Sequence, residues 1–247
     1  MISVIIPTLN AGTHLVHTMA ALVPATVDGL IKEVIVSDGG SRDETLDIAD
    51  AAGAEIVTGH SGRGSQLKAG ALQAQFPWLL FLHADTVLEH GWHDLAGRHI
   101  ERVARGLAGD QAATFRFALA DQGVAPRVVE AGVAFRSGLL GLPYGDQGLL
   151  VSRKLYDAVG GFRDMAIMED VDLVRRIGRR RLVTLPIKAT TSPRRYRQQG
   201  YLSRIARNQL CLSLYFAGID PERIRRIYEG RPDTQHSVGS HVMRGEA

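Results

Sequence analysis

Two clusters of carboxylates sit where chemistry would need them. The run Leu79-Leu80-Phe81-Leu82-His83-Ala84-Asp85-Thr86 is apolar until it ends in Asp85. A buried strand that delivers an aspartate at its C-terminal end puts that side chain in the crevice where open α/β sheets bind ligands. A hard carboxylate there suits metal-assisted chemistry on a nucleotide. Taken alone, Asp85 could equally cap a following helix. The second cluster is Met168-Glu169-Asp170-Val171-Asp172-Leu173, with Gly160-Gly161-Phe162 before it and Arg175-Arg176 after it. Three carboxylates open a helix here. The helix dipole favours acidic residues in a first turn and accounts for one or two of them. One of them could instead act as general base on an acceptor hydroxyl beside a metal-bound diphosphate, a role that needs reach and a suitable pKa.

Both clusters depend on the elements that carry them. Strand-like runs at residues 3–7, 33–37, 54–57 and 78–82 alternate with helical patterns over about residues 12–23, 43–52 and 64–75. That rhythm is βαβ and predicts parallel strands with right-handed crossovers. Beyond Arg105 it changes, with strand patterns at 113–117 and 148–151 and apolar and basic residues at helical spacing from Tyr201 to Tyr228, divided by Gly218 and Pro221.

In such a sheet the strand ends share one crevice, and here each end is polar. The first ends in Pro7-Thr8-Leu9-Asn10, the second in Asp38-Gly39-Gly40-Ser41-Arg42-Asp43, the third runs into residues 59–64, and the fourth reaches Asp85. Asp38, an acceptor-only carboxylate just past a strand, is placed to take hydrogen bonds from a base or ribose. The alternative is that Asp38-Gly39-Gly40-Ser41 is simply a turn and Asp43 a helix cap. Gly62-Arg63-Gly64 offers backbone N–H groups and a guanidinium to an anion, a weak signal by itself. Neither a G-x-x-x-x-G-K-[ST] loop nor a G-x-G-x-x-G fingerprint occurs, which argues against ATPases and classical dehydrogenases.

The 247 residues, 45% hydrophobic and 22% charged, fit one α/β domain with an appendage and exclude disordered and collagen-like classes. Cys211, the single cysteine, lies in Leu210-Cys211-Leu212 and reads as a packed thiol. No secretory h-region and no apolar run near about 18 residues is present, so a cytoplasmic protein is expected. The net charge of +3 hides a concentration of arginines in the last third, among them Arg194, Arg195, Arg204 and Arg207. These could serve phosphates, an anionic membrane surface or solvated helix faces; no nucleic-acid module is recognisable.

With these residues in view the chain resembles the family 2 glycosyltransferases, inverting enzymes of GT-A fold that use sugar nucleotides. The resemblance extends to about residue 215. It rests on Ile6-Pro7-Thr8-Leu9-Asn10, on Val36-Ser37-Asp38-Gly39-Gly40-Ser41-Arg42-Asp43-Glu44-Thr45, on His83-Ala84-Asp85-Thr86 in place of the D-x-D motif, and on Glu169-Asp170 in place of the E-D motif. Gly145-Asp146-Gln147-Gly148 and the stretch from Gly160 to Arg176 look more narrowly like the compact bacterial subfamily associated with arsenosugar biosynthesis.

The resemblance implies a Rossmann-like, mostly parallel sheet with helices on both faces and a C-terminal helical extension. It implies a GT-A domain over residues 1–199, with a nucleotide-binding half to about 105 and an acceptor half beyond, then helices over 200–230 and a flexible tail over 231–247. Pro7, Thr8, Asn10, His83 and Ala84 would line the nucleotide pocket, Asp38 would hold base or ribose, and Arg63 would lie near the nucleotide. Asp85 would bind Mg²⁺ or Mn²⁺ on the diphosphate of a UDP- or GDP-type donor. Asp170 would be the catalytic base, with Glu169 and Asp172 as neighbours. Arg194 and Arg195 would give a second grip on the diphosphate.

Two departures stand against that pattern. The leading Asp of D-x-D is His83, and no histidine lies between His99 and His236 where many relatives carry a metal ligand. The rival readings are a nucleotidyltransferase, whose basic loop after strand one is missing from Asn10-Ala11-Gly12-Thr13, and a non-catalytic nucleotide-sugar binding protein, which would not need Asp170. The implied acceptor is a small molecule or a lipid. A basic amphipathic helix bearing Arg204, Arg207, Leu210, Leu212, Leu214, Tyr215 and Phe216 would touch the inner membrane face, or else pack on the sheet. The apolar C-terminal helices could also pair in a homodimer.

Overall fold

The structure is a computed structural model that describes residues 1–60 and 62–229. The expected tail over 231–247, and with it His236, lies outside the described residues. The chain begins with strand β1 (Ile2–Thr8), helix α1 (Gly12–Val27), β2 (Ile31–Asp38), α2 (Thr45–Ala51), β3 (Glu55–Val57), α3 (Arg63–Gln73) and β4 (Trp78–Phe81). There follow β5 (Thr86–Leu88), α4 (Trp92–Ala104), β6 (Ala112–Leu119), α5 (Val124–Phe135), β7 (Leu149–Ser152), α6 (Arg153–Ala158) and α7 (Glu169–Ile177). The last elements are β8 (Leu182–Thr191), α8 (Arg194–Gln199), α9 (Tyr201–Phe216) and α10 (Pro221–Glu229).

The strands of the described residues form one sheet in the order β3-β2-β1-β4-β7-β6-β8-β5. β1 pairs in parallel with β2 and β4, and β2 with β3, as the alternating rhythm predicts. The second half is mixed: β7 runs antiparallel to β4 and β6, β6 parallel to β8, and β5 antiparallel to β8. Period-two alternation sends Ile2, Val4 and Ile6 of β1 to one face, with Leu15 and Leu22 of α1 and Trp92 of α4. Ile5 goes to the other, with Leu67 and Ala71 of α3, Phe162 and Leu173 of α7. Helices therefore cover both faces, and the fold is α/β of the GT-A type.

Several elements differ from the sequence expectation. Helix α1 continues through Pro24 to Val27, because Leu22 and Ala25 are buried and packing outweighs the missing N–H. Helix α2 starts at Thr45 because Asp43 takes the Thr45 N–H and hydroxyl, at 3.2 and 2.5 Å. Asp85 is followed by β5 and not by a helix, so it caps nothing. Strand β8 has no clean sequence signature because Pro186 interrupts it; the β6–β8 register shifts at Phe115/Arg116, and the proline falls in that irregularity.

The C-terminal helices also correct an expectation. Arg204 and Leu212 of α9 point inward, at 4% and 7% exposure, and Cys211 is fully buried. Cys211 and Leu212 join Val171 and Val174 of α7 and Ile224 of α10 in one apolar cluster. The helix thus spends its apolar stripe on the protein and leaves only Leu202, Leu210 and Phe216 exposed. No helix among the described residues is long and apolar enough to cross a membrane.

Candidate active site

The first rim of the crevice is built where β1 and β2 end side by side, with Thr8 in register with Asp38. The Asp38 carboxylate accepts from the Thr8 hydroxyl at 2.7 Å, the Gly40 N–H at 2.8 Å, the Ser41 N–H at 2.7 Å and the Ser41 hydroxyl at 2.5 Å. Burial opposes its charge, but these bonds outweigh burial and hold the carboxyl below its usual value. A carboxylate has about four lone-pair sites, and all are engaged. Asp38 is therefore the organiser of its own turn, as the turn alternative has it. A direct grip on base or ribose would require one of these bonds to be exchanged.

The loop beyond β1 is strapped to that turn. Asn10 sits at φ 51°, its N–H donates to the Ser41 hydroxyl at 2.8 Å, and its side-chain oxygen accepts from the Arg42 N–H at 2.9 Å. Pro7 lies inside β1, beside Ser37. Gln66 of α3 closes the rim from below, its Nε2 donating to the carbonyls of Thr8 and Ser37 at 2.7 Å each. A Cβ on Gly39 would come within 3.1 Å of that amide, so any larger residue would press on it. Gln66 does not stand out in the sequence, since a lone amide carries no motif.

The second rim follows β4. The Ala84 carbonyl accepts from the Thr18 hydroxyl at 2.8 Å, and the Asp85 carbonyl accepts from the Ser192 N–H at 3.3 Å, so the turn is anchored on α1 and β8. The Asp85 side chain is half-buried. His83 lies 3.5 Å from Arg63, ring Nε2 to Nη1. Burial, then the charges of Arg63 and Arg195, hold the imidazole well below its usual pKa, so it is neutral. Where a D-x-D pattern would place a carboxylate, this chain places an uncharged ring.

Helix α7 brings the third set. Met168 enters it in the left-handed region at φ 67°, a turn that aims Glu169 and Asp170 at the sheet. Glu169 is 1% exposed and its carboxylate pairs with Arg63 Nε. Burial raises the Glu169 pKa, against the pull of Arg63. For Arg63 burial acts downward, and the charges of Glu169 and Asp170 overcome it and raise the pKa. Asp170 accepts from the Gly145 N–H at 2.7 Å and from the Val171 N–H at 2.7 Å. Asp172 does not neighbour this group. Two residues along a helix is over half a turn, and Asp172 instead binds Arg163 at 3.2 Å and Arg176 at 2.5 Å.

Between His83 and Asp170 runs the tight turn Gly145–Gln147. A Cβ on Gly145 would lie 2.6 Å from His83 Nε2 and 3.4 Å from Asp170 Oδ2. This turn also carries Asp146, whose Oδ1 is buried with no hydrogen-bond partner among the described residues. Burial pushes Asp146 up to about 6, with Arg136 acting against it and Asp170 and Asp85 reinforcing it. Arg136 is 7% exposed, stacks its guanidinium 3.3 Å from the Tyr144 ring centre, and donates from Nε to the Leu142 carbonyl at 2.8 Å. Arg136 Nη2, the Tyr144 hydroxyl and Glu169 Oε2 are likewise buried without partners among the described residues. His83, Tyr144, Gly145, Glu169 and Asp170 line one small cavity of about 20 Å³.

The two arginines of α8 part company. Arg195 Nη1 reaches the Tyr228 hydroxyl at 3.3 Å, and its charge is felt at His83. Arg194 is exposed, and its N–H makes only a 3.4 Å contact with the Ser192 hydroxyl.

A divalent cation is the cofactor the family pattern implies. No three His, Cys, Asp or Glu side chains among the described residues are grouped to cage one. Asp85 and the unpartnered Asp146 Oδ1 are hard oxygen donors whose charges act on each other, and Mg²⁺-type ions are usually held by one or two carboxylates with phosphate oxygens completing the shell. The residues fit such an ion.

Part of the chain is similar to a known family, and its fold to solved structures. Residues 3–113 match the model of glycosyl transferase family 2. A PGL/p-HBAD biosynthesis glycosyltransferase of Mycobacterium bovis is 37% identical over 101 residues, and the match covers 36% of this chain and 36% of the relative. The chain thus matches little more than a third of that relative's length. Among solved structures, glucosyl-3-phosphoglycerate synthase of Mycobacterium tuberculosis superposes with a TM-score of 0.56 at 22% identity, covering 89% of this chain and 80% of that one. TarS of S. aureus superposes with a TM-score of 0.59 at 15% identity, covering 92% of this chain and 69% of that one. Residues 3–113 are thus similar to glycosyl transferase family 2, and the chain has a fold of the GT-A type.

Proposed function

We propose that the protein moves a sugar from a nucleoside-diphosphate sugar of UDP or GDP type to an acceptor hydroxyl, with inversion, Asp170 acting as general base. The observation that carries this reading is the placement of Asp170 on the cavity wall, oriented by the Gly145 N–H at 2.7 Å. Its carboxylate takes the acceptor proton as the new bond forms on the anomeric carbon. The nucleoside diphosphate leaves on the opposite side, through an oxocarbenium-like state. Arg63, oriented by Glu169, and Arg195 supply positive charge near the departing phosphates. When bound at Asp85 with Asp146, Mg²⁺ or Mn²⁺ supplies charge neutralisation at the diphosphate. Neutral His83 offers a ring nitrogen for a ribose or sugar hydroxyl.

The solved glucosyl-3-phosphoglycerate synthase is described in complex with Mn²⁺ and UDP-glucose, and with phosphoglyceric acid, which supports a metal, a nucleotide sugar and a small acceptor here. The narrower reading, the subfamily associated with arsenosugar biosynthesis, is supported by Gly145-Asp146-Gln147-Gly148, whose turn sits against Asp170, and by the stretch from Gly160 to Arg176. Transfer is single, in the cytoplasm, to a small-molecule or lipid acceptor.

The test is a thermal-shift screen of UDP-, GDP-, dTDP- and CDP-sugars with Mn²⁺, Mg²⁺ or EDTA, followed by Asp170→Asn. Ligands that bind only the native state raise the melting temperature by mass action. A metal-dependent shift with one nucleotide, kept in Asp170→Asn while turnover is lost, is the expected result. Undiminished product from Asp170→Asn removes the base assignment.

A further inference from the structure

The basic groups of the site continue from Arg195 onto the C-terminal helices, where Arg204 and Arg207 have no part in the transfer step described above. Arg204 and Arg207 lie three residues apart on α9 and so share a face. Arg204 is 4% exposed. Its Nη1 donates to Gln199 Oε1 at 3.3 Å, its Nη2 to the Tyr228 hydroxyl, and its guanidinium lies 4.2 Å from the Tyr228 ring centre. Arg207 Nη1 reaches the same Gln199 oxygen at 3.3 Å and the Tyr228 carbonyl at 3.4 Å. Arg195, from α8, brings a third guanidinium to the Tyr228 hydroxyl at 3.3 Å.

Every acceptor in this group is neutral. Among the described residues, none of the three arginines has a carboxylate at ion-pair distance. A buried guanidinium without a counter-charge is costly, and a phenol is a weak substitute for one. Charge-assisted bonds to phosphate are roughly twice as strong as those to neutral acceptors, and the guanidinium fork matches phosphate oxygens bidentately. The cluster also borders the cavity: Tyr228 packs in the same apolar cluster as Tyr144 and Val174, which line it.

We propose that Arg195, Arg204 and Arg207 form a phosphoryl-binding cluster at the edge of the active site, and that the Tyr228 hydroxyl is the group a phosphate oxygen of the substrate replaces. Helix α10 is then a plug whose last turn yields to the ligand. The proposal rests on the glycosyl-transfer reading only for the identity of the substrate bearing the phosphate, either the donor diphosphate or a phosphorylated acceptor.

The test is calorimetric titration of the full-length protein with pyrophosphate and with glycerol 3-phosphate, in the unaltered chain, Arg204→Gln, Arg207→Gln and Tyr228→Phe. Loss of one charge-assisted contact weakens binding by about tenfold or more, and Tyr228→Phe, which keeps the ring but frees the guanidinium groups, tightens it several-fold. Should Arg204→Gln fail to fold, the half-buried Arg207→Gln decides the matter. Unchanged affinity in folded Arg207→Gln, or no binding by Tyr228→Phe, overturns the assignment. Titrating glycerol 3-phosphate in saturating UDP separates the sources: binding alongside UDP marks an acceptor subsite, and competition marks the donor diphosphate. Because the readout is binding without turnover, a cluster that binds phosphate in a protein that transfers no sugar would leave this inference standing and remove the glycosyl-transfer reading.

Discussion

Arg63 and Glu169, 106 residues apart, join the first turn of α3 to the first turn of α7 through a partly buried ion pair. The pair links the half of the chain that matches glycosyl transferase family 2 to the helix that carries Asp170. It sets the orientation of the guanidinium toward His83 and opposes the burial that raises the Glu169 pKa. Glu169→Ala leaves Arg63 without its counter-charge. With Arg63 a third exposed, the cost is discounted to about 2–3 kcal/mol, read as a shifted urea midpoint. Donor affinity falls with it, while Glu169→Gln, which keeps one acceptor, loses less of both.

Asp170→Asn should lower kcat by about a hundredfold to ten-thousandfold, the usual worth of a general base, while the donor KM stays within a few-fold. Steady-state kinetics with the donor found by the thermal-shift screen make the comparison.

Asp172→Ala should behave in the opposite way. It removes the partner of Arg163 and Arg176 on the far side of α7, so stability falls by about 1–3 kcal/mol. Activity per folded molecule is retained, provided both are measured well below the melting temperature.

Gly145→Ala drives a methyl group to 2.6 Å from His83 Nε2 and 3.4 Å from Asp170 Oδ2. The imidazole must turn, and Asp170, the proposed base, loses its alignment. A drop in kcat/KM of about tenfold or more is expected, since sub-ångström placement governs such steps. The melting temperature changes little, because the clash is relieved by a side-chain end.

Asp38 makes stability depend on pH. Its folded pKa is depressed, so its contribution is fully present above the unfolded value of about 3.9 and is lost as pH falls through the folded pKa. Asp38→Asn should be destabilised at pH 7 and converge on the unaltered chain in acid. Denaturant midpoints at pH 7 and pH 3 measure the convergence; a constant gap would mean the four hydrogen bonds do not depend on charge.

The first half of the fold is legible in the sequence because β1, β2 and β4 are buried strands whose apolar runs stop at polar ends, and that pattern is local. Asp85 and Asp170 are legible for the same reason, as carboxylates placed abruptly at an element boundary. Strand β8 is not, because its proline is tolerated only by the register shift against β6, which is 70 residues away at Thr114 and Thr184. Spacing alone does not show which way Asp38 and Asp172 turn, because that depends on donors from Thr8, Arg163 and Arg176.

The sequence by itself determined that this chain forms parallel βαβ units with acidic residues at the strand and helix ends, since period, punctuation and charge are written residue by residue. Only the tertiary structure decided that Arg63 meets Glu169, that Gly145 stands between His83 and Asp170, that Asp146 is buried beside them, and that Tyr228 lies among three arginines. Those relations join segments that are far apart in the chain. They are fixed by close packing and by the need to satisfy buried charges, and neither leaves a mark on neighbouring residues.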